Sequence, residues 1–440
     1  RDSSTSRGLG DVYKRQFGTL SPRRQYVGPA TYTRTFFCKE AAKGDYELTL
    51  GRVMWKSTVA IDGKPLGSCD SLAAPHVYAV PAALLTAGTH TLTLEVDNRQ
   101  IVPIGEDGHC YGDTMQFRWN GVLGEMSLRP ANPLRRARVF APVGETVTVE
   151  LPEGVVAEGT VEGMPTTTIA SELGRLTLRV PGAKPWSDAA PNLYTLTLRS
   201  GDWRHAIRFG FRTFERRGNR LWLNGAPLFL RGNLDCCNFP LTGHPPADKA
   251  EWTRVFANLR QEGVNQIRFH SWCPPAAAFE AADELGILLA PEVLWIDWWM
   301  TKKDARVRGV GKGNAETDAW VRNELSRILA AYGNHASFFS LGVGNELGTS
   351  DFDLMGAMMA ECKARDPRHL YAASTARKIT PADDFAVTHY YPGLGMVRER
   401  RREGTDWDYE DVYGKTSVPT VAHEVGQWPV CCLLYTSPSP

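Results

Sequence analysis

The pattern of apolar and polar positions changes in character about halfway along the chain. Before about residue 214, short runs in which apolar and polar residues alternate are separated by turn residues, as in 31–37 (TYTRTFF) and 91–96 (TLTLEV). Alternation with a period of two is typical of half-buried β-strands, and Asp62-Gly63 after one such run indicates a hairpin. The first half of the chain is therefore predicted to consist of β-structure.

Two consecutive β domains are predicted in this half. Residues 17–130 carry the pattern of an antiparallel sandwich. Such a sandwich could be a structural spacer or a module that holds a saccharide, and the pattern fits both roles. Residues 131–214 contain VTVEL, LTLRV and LYTLTLRS, which favour an immunoglobulin-like sandwich. The stretch from Trp186 to Tyr194 has an aromatic residue at each end, and we interpret it as a structural corner.

From about Leu221 the pattern predicts strands that alternate with helices. The sequence 221–232 predicts a hairpin and then a strand, and helices with an apolar stripe are predicted at 246–262, 275–285 and 316–332. Further strands are predicted at 265–269, 287–290, 338–348, 370–374, 385–389 and 420–424. Seven strands in one direction predict a (β/α)8 TIM barrel over 215–432 that lacks its last strand. A stripe of sulfur-bearing residues is interpreted as core rather than as a metal site: Met355, Met358, Met359 and Cys362.

Composition narrows the classes of function. The 50 Lys and Arg residues balance 49 Asp and Glu residues, so nothing indicates a nucleic acid or an anionic membrane surface as partner. The nine cysteines show neither a disulfide framework nor zinc-ligand spacing. No apolar run reaches the length of a transmembrane helix. Thirteen Trp and fourteen Tyr residues suit sugar rings and a packed core equally well.

The two ends of the sequence match no folded element. Residues 1–16 (RDSSTSRGLGDVYKRQ) lack the apolar centre of a signal peptide. We interpret residues 1–16 as a non-native leader and residues 433–440 as a non-native tail that flank a fragment.

Two glutamates carry the candidate chemistry. Glu346 follows the apolar run that begins at Phe338, and Glu424 ends a second run of the same design. Parallel-barrel enzymes hold their chemistry at the carboxyl ends of strands, and a pair of carboxylates there suggests cleavage of a glycosidic bond. For either glutamate taken alone, a solvated surface carboxylate is the alternative.

An ordered set of motifs extends this picture. Between about residues 25 and 430 the chain contains, in order, YTR, WKSTVAIDGKPLG, PNLY, FGFR, LNGAPLFLRGN, GVNQIRFHSWCPP, ADELGILLAPE, YGNHASFFSLGVGNE and PTVAHEVG. With these motifs the chain resembles glycoside hydrolases of family 2, the group of β-galactosidases, β-glucuronidases and β-mannosidases. The resemblance implies a jelly-roll sugar-binding domain, an immunoglobulin-like domain and a catalytic TIM barrel. It also implies a retaining exo-β-glycosidase, with Glu346 as general acid/base and Glu424 as nucleophile.

The resemblance suggests roles for residues at other strand ends. Asn345 matches the residue that hydrogen-bonds the sugar 2-hydroxyl, with a turn cap as the alternative. Arg268 matches an arginine that steadies the nucleophile, with a surface salt bridge as the alternative. His389, Tyr390 and Tyr391 end the sixth strand, where the family usually has a tyrosine that contacts the nucleophile. Tyr390 is favoured for this contact, Tyr391 stays open for it as well, and a packing role is the alternative for either residue.

The sequence departs from the family pattern at positions that bear on the substrate. Asp235, His270 and Trp272 stand where many β-galactosidases have other residues, and they are candidates for recognition of sugar hydroxyls, with packing roles as the alternative. Trp295 lies in a predicted loop over the barrel mouth, where it would stack on a sugar or form part of a lid. Glu292 ends the third strand, where some members place a metal-linked carboxylate, but no other ligand spacing accompanies it.

These observations predict a saccharide substrate and no cofactor or required metal. Nucleic acid and membrane partners are not expected, and a homo-oligomer is compatible with the sequence. The glycone stays open among galactose, glucuronic acid, mannose and other sugars. The alternative function is a non-catalytic carbohydrate-binding protein on a degenerate glycosidase scaffold.

Overall fold

The computed structural model describes most of the chain between Tyr26 and Val425. The described residues are 26–104, 109, 111, 119–237, 239, 242–293, 309–374, 378–390 and 416–425. Strands dominate the described part of the chain, and its α-helices all lie after residue 248.

The first β region forms two antiparallel sheets that share one apolar core. Its strands are β1 (Pro29–Cys38), β2 (Tyr46–Met54), β3 (Lys56–Ile61), β4 (Lys64–Cys69), β5 (His76–Val80), β6 (Gly88–Asp97) and β7 (Gly121–Pro130). One sheet has the order β1-β6-β3-β4 and the other the order β5-β2-β7. The predicted hairpin is present between β3 and β4, where Asp62 and Gly63 adopt positive φ angles of 50° and 75°.

The second β region also forms two antiparallel sheets. Its strands are β8 (Arg138–Phe140), β9 (Thr146–Glu150), β10 (Glu158–Val161), β11 (Thr167–Glu172), β12 (Arg175–Arg179), β13 (Tyr194–Ser200) and β14 (Trp203–Phe209). The sheet orders are β11-β12-β9-β8 and β10-β13-β14. In the loop before β13, the fully buried Trp186 donates its indole N–H to the carbonyl of Asp283 at 2.8 Å, which ties this region to the helical part of the chain.

A hairpin leads from the second β region into alternating strands and helices. The hairpin strands are β15 (Phe214–Arg217), β16 (Arg220–Leu223) and β17 (Ala226–Pro227). The following strands are β18 (Gly232–Asp235), β19 (Gln266–Phe269), β20 (Leu288–Pro291), β21 (Ser340–Gly344), β22 (Leu370–Ser374), β23 (Ala386–Tyr390) and β24 (Thr420–Val425). The helices are α1 (Lys249–Gln261), α2 (Ala276–Leu285), α3 (Ala315–Tyr332) and α4 (Phe352–Arg365).

The strand pairs that follow the hairpin are all parallel. β19 pairs with β18 on one side and β20 on the other, β21 pairs with β22, and β23 pairs with β24. Isolated parallel bridges from Leu289 to Phe338 and from Glu292 to Gly342 join the β20 and β21 segments. Because carboxyl ends of neighbouring parallel strands meet at one edge, residues that follow these strands converge there.

Helix boundaries follow local capping chemistry. The helix predicted from residue 246 begins three residues later, at Lys249, because the Asp248 side chain accepts the N–H of Glu251 and acts as the N-cap. The sulfur-bearing stripe predicted to be core lies on α4 and is buried: Met355, Met358, Met359 and Cys362. None of the described helices is long and apolar enough to cross a bilayer.

Candidate active site

Glu346 is held at the carboxyl end of β21 in an unfavourable backbone conformation. The buried Leu341 and Val343 anchor the strand in the core, and Asn345 and Glu346 follow its last residue, Gly344. The φ angle of Glu346 is 47°, in the left-handed region, which costs a residue with a Cβ roughly 1 kcal/mol or more. Its side chain is 25% exposed, so this carboxylate reaches solvent.

Two further non-glycine residues have left-handed backbones beyond neighbouring strands. Cys237 follows β18 with a φ of 57°, and Ser271 follows β19 with a φ of 56°. Such conformations persist only where the surroundings enforce them, and they cluster at functional sites. The backbone therefore marks the carboxyl edge of β18, β19 and β21 as a candidate site.

Glu424 lies on β24 in a buried, positively charged setting. Its Oε1 is 3.3 Å from Arg268 Nη1, 3.4 Å from His270 Nε2 and 3.5 Å from His389 Nε2. Burial alone would raise the pKa of Glu424, but the hydrogen bond from His270 and the charges of His389 and Arg268 outweigh it. The pKa of this carboxyl is therefore well below its usual range, and the group is ionised at neutral pH.

A single imidazole contacts both candidate catalytic glutamates. His389 Nδ1 is 3.0 Å from Glu346 Oε1, while His389 Nε2 is 3.5 Å from Glu424 Oε1. A shift of register between Thr388 and His389 sets His389 opposite Glu424 in the β23–β24 pair. The two carboxylates, which come from distant parts of the chain, therefore lie around one ring in different environments, one partly exposed and one buried.

Arg268 connects four strands at this edge. Its Nε donates to Glu292 Oε1 at 2.7 Å, and its Nη2 donates to Glu292 Oε2 at 3.2 Å and to Asn345 Oδ1 at 2.7 Å. Its Nη1 donates to Glu424 Oε1 at 3.3 Å. Burial alone would lower the pKa of Arg268, but the charge of Glu292 and its hydrogen bonds raise it. The buried guanidinium is therefore charged and fixes the relative positions of Asn345 and Glu424.

Glu292 has a role that the sequence did not reveal. Its motif led us to weigh it only as a metal ligand, whereas both its oxygens bind Arg268 and its Oε2 also accepts the Ser271 N–H at 2.8 Å. The sequence signal for this role was the position of Glu292, a glutamate directly after the apolar strand β20. Within the described residues, no group of three or more His, Cys, Asp or Glu side chains is arranged to hold a metal ion. The expectation that no metal is required stays a prediction.

Asp235 and Trp272 were predicted as candidates for sugar recognition. Asp235 ends β18, is half-buried, and accepts the Cys237 N–H at 2.8 Å; burial raises the pKa of Asp235 to about 6. Trp272 is fully buried, its ring lies 5.2 Å from that of Phe269, and its indole N–H donates to the Asp235 carbonyl at 3.1 Å. The structure thus supports the packing alternative for Trp272 and leaves Asp235 at the site edge.

Two histidines near the site were missed by sequence reasoning. His109, from the loop after β6, meets the ring of His270 edge-on at a centroid distance of 4.3 Å. His423 Nδ1 is 3.9 Å from Glu292 Oε1, and burial together with the charge of Arg268 holds the pKa of His423 well below its usual range. His423 lies in the PTVAHEVG motif directly before Glu424, and that position was the available signal. His109 lies in no motif, and no sequence signal would have found its contact with a residue so distant in the chain.

Two predicted residues cannot be placed by their side chains. Trp295 lies outside the described residues. The backbone of Tyr390 forms the last residue of β23, but its side chain, like all of Tyr391, is outside the described part of the chain. The tyrosine contact with the nucleophile and the stacking role of Trp295 remain predictions.

The chain has a β-rich fold in which parallel strands bring two glutamates together, and comparison with known proteins finds relatives that are named as glycosidases. The chain is 25% identical over 380 residues to a putative β-glucuronidase of Formosa agariphila. The aligned region covers 79% of this chain and 34% of the relative. It is 22% identical over 400 residues to a β-glucuronidase of Paenibacillus borealis, and this aligned region covers 83% of this chain and 65% of the relative. The chain thus spans about a third of the length of the first relative and about two thirds of the length of the second. No family model matches the chain.

Solved structures show the same fold. The family 2 β-galacturonidase of Eisenbergiella tayi, solved with galacturonate, superimposes with a TM-score of 0.69 at 19% identity and covers 91% of this chain and 74% of its own. Other relatives by sequence are β-galactosidases. The chain is therefore related to the β-glucuronidases and β-galactosidases, and its predicted resemblance to glycoside hydrolase family 2 is confirmed.

Proposed function

We propose that the protein is a retaining exo-β-glycosidase that removes terminal β-linked sugars from oligosaccharides or glycoconjugates, in the manner of a β-galactosidase or β-glucuronidase. The observation that carries the proposal is the pair Glu346 and Glu424, which meet around His389 at the carboxyl edge of parallel strands. The names of the sequence relatives support the same reaction class.

The environments of the two carboxylates suit different roles. Glu424 is ionised and buried, so it acts as the nucleophile: it bonds to the anomeric carbon while the bond to the leaving oxygen breaks. Glu346, which reaches solvent and contacts His389, takes the role of general acid/base: it gives a proton to the leaving oxygen and then takes one from the water that hydrolyses the glycosyl-enzyme. Arg268 steadies the nucleophile, and Asn345, which Arg268 holds, binds the sugar 2-hydroxyl.

The domains take the roles expected from the family resemblance. The parallel strands and their helices form the catalytic TIM barrel. The two β regions are the jelly-roll and immunoglobulin-like domains, and His109 brings the first of them to the edge of the active site. The substrate is a saccharide, and the glycone is one of the sugars cleaved by this group of enzymes.

The proposal predicts how two substitutions change turnover. With a panel of aryl β-galactosides, β-glucuronides and β-mannosides, Glu424→Ala and Glu346→Gln should each lower kcat by about 1,000-fold or more, because each removes a group that acts in the transition state. Azide should restore turnover in Glu424→Ala by occupying the space of the lost carboxylate. Glu215→Gln, at a half-buried surface glutamate on β15, is the matched control and should leave kcat unchanged.

Activity that persisted in both active-site variants would refute the assignment. A protein that bound saccharides but cleaved no member of the panel would be the non-catalytic carbohydrate-binding protein instead. Proton NMR of the first product separates the stereochemical outcomes: a retaining enzyme releases the β-anomer first, whereas an inverting enzyme releases the α-anomer.

A further inference from the structure

The segment that carries His270 to the nucleophile is tied down at each of its residues. The His270 N–H donates to the Asp235 carbonyl at 2.9 Å, and the Ser271 N–H donates to Glu292 Oε2 at 2.8 Å. The Trp272 carbonyl accepts the Glu292 N–H at 3.1 Å. We refer to residues 270–273 as the nucleophile-support segment, because His270 lies 3.4 Å from Glu424.

The last residue of this segment is held from a different domain. Arg52, on β2 of the first β region, donates from Nη2 to the Cys273 carbonyl at 2.6 Å and from Nη1 to the Ala73 carbonyl at 2.5 Å. Arg52 is only 3% exposed. A buried guanidinium gives strong, charge-assisted hydrogen bonds whose geometry is fixed by its planar fork. The position of Cys273 is therefore coupled to the first β region.

A bulge in β2 aims Arg52 out of its own domain. Leu48 and Leu50 point into the core of the first β region, so regular alternation would send residue 52 there as well. The pairing of β2 with β7 shifts register between Leu50 and Arg52, after which Val53 returns to that core while Met54 joins the core of the helical part. The bulge thus reverses the faces of β2 and turns Arg52 toward the barrel.

The residue in the bulge is a glycine for a steric reason. A Cβ at Gly51 would lie 2.9 Å from the carbonyl oxygen of Leu123 and 3.0 Å from the backbone nitrogen of Glu125. These are backbone atoms of the neighbouring strand region, which cannot move aside as a flexible side chain would. The close approach of the β2 backbone to β7 at the bulge, which turns Arg52 toward the helical part of the chain, therefore requires glycine at position 51.

The other end of the Arg52 bridge rests on α3. The Ala73 carbonyl also accepts the hydroxyl of Tyr332 at 2.8 Å, and Glu324 Oε1 accepts the N–H groups of Leu72 and Ala73, each at 2.7 Å. Tyr332 and Glu324 are both on α3 and both buried. Arg52 is consequently fixed between a rigid point on α3 and the end of the nucleophile-support segment.

We propose that Arg52 is a positioning residue for the nucleophile, which acts by holding the 270–273 segment so that His270 stays against Glu424. The first β region then braces the active site through this residue, in addition to any contact with sugar. The inference rests on the proposed function for its catalytic meaning, but the structural bridge is testable without turnover.

The structural test is hydrogen exchange of the intact protein. Arg52→Met removes both donors at nearly equal length, so amide exchange in peptides that cover 270–273 and Glu292 should become at least about tenfold faster. Arg138→Met is the matched control, because Arg138 donates at 2.5 Å to the Arg365 carbonyl across the contact of the second β region with α4. Glu215→Gln is a second control, which breaks a surface ion pair with Arg217 on β15 and leaves Arg52 and its partners intact. Both controls should leave exchange in 270–273 unchanged.

The catalytic test is the pH profile of kcat/KM for an aryl β-glycoside that the wild type cleaves. Loosening of His270 weakens a contact that lowers the pKa of Glu424, so the acidic limb should move to higher pH in Arg52→Met and not in either control. Arg52→Lys keeps one donor and should fall between wild type and Arg52→Met in both measurements, which keeps the test valid if Arg52→Met does not fold.

The outcomes separate this inference from the proposed function. Unchanged exchange in 270–273 for both Arg52 variants, or an equal rise in Arg138→Met, would overturn the role of Arg52. Faster exchange confined to 270–273, with the acidic limb unmoved, would also overturn it, because the segment would then not position the nucleophile. If no glycoside is cleaved by the wild type, the proposed function fails while the exchange result still decides the bridge.

Discussion

Arg268 shows how a single buried charge organises this site. It is 2% exposed and its guanidinium binds Glu292, Glu424 and Asn345. Removing a charge from water is costly, and the cost is offset only when opposite charges and hydrogen bonds surround the ion. The two acidic partners therefore contribute differently: Glu292 binds Arg268 through both of its oxygens, whereas Glu424 Oε1 accepts one hydrogen bond from it.

This division of duties predicts a stability effect at Glu292. Glu292→Gln removes the main compensating charge from buried Arg268 and should lower the free energy of unfolding by about 3 kcal/mol, as expected when one partner of a buried ion pair is lost. Chemical denaturation with urea measures the change. Glu215→Gln, which breaks a surface pair with Arg217, should cost less than about 1 kcal/mol. A loss at Glu292 no larger than at Glu215 would contradict the role given to Arg268.

At the level of elements, helix ends and turns are set by a few special backbone positions. α2 ends at Gly286, whose φ of 70° is left-handed and whose N–H bonds back to the Ala282 carbonyl at 2.9 Å. A Cβ at Gly286 would lie 2.5 Å from the Asp188 carbonyl oxygen, in the loop from the second β region. This glycine thus ends the helix and allows that loop to pack against it.

The two functions of Gly286 can be separated by comparison with another glycine. Gly218 has a similar φ of 57° in the β15–β16 turn, but a Cβ there would meet nothing within 4 Å. Gly218→Ala should cost about 1 kcal/mol for the left-handed backbone alone, whereas Gly286→Ala should cost about 3 kcal/mol because it adds a clash with backbone. Urea denaturation of both variants measures the difference. Equal losses would show that the Asp188 loop moves aside freely.

Strands and helices were the most predictable features, because each leaves a local pattern. The alternation at 31–37 and 91–96 lies within β1 and β6, and the strand predicted at 370–374 coincides with β22. Bulges leave no such pattern. The register shifts beside Arg52 and His389 depend on pairing with a partner strand, and they decide which way two of the most important side chains point.

At the scale of the whole molecule, the site is assembled from parts of the chain that are far apart. The motifs of a known family predicted Glu346, Glu424, Arg268 and Asn345, and the structure brings these four together. Contacts that cross between domains, such as His109 with His270, could not be predicted, because no local pattern encodes a partner in another domain. The first β region matters for this site because the loop after β6 brings His109 against His270.

The central claim is that Glu424 attacks the sugar, and covalent trapping tests it most directly. The protein is incubated with 2-deoxy-2-fluoro-β-galactosyl fluoride and, separately, with the corresponding glucuronyl fluoride, and it is then digested and mapped by mass spectrometry. The fluorine slows hydrolysis of the glycosyl-enzyme, so a single fluoroglycosyl group should be found on Glu424, and Glu424→Ala should take up none. A label on any other carboxylate, or turnover of a matching aryl glycoside with no label on Glu424, would contradict the claim.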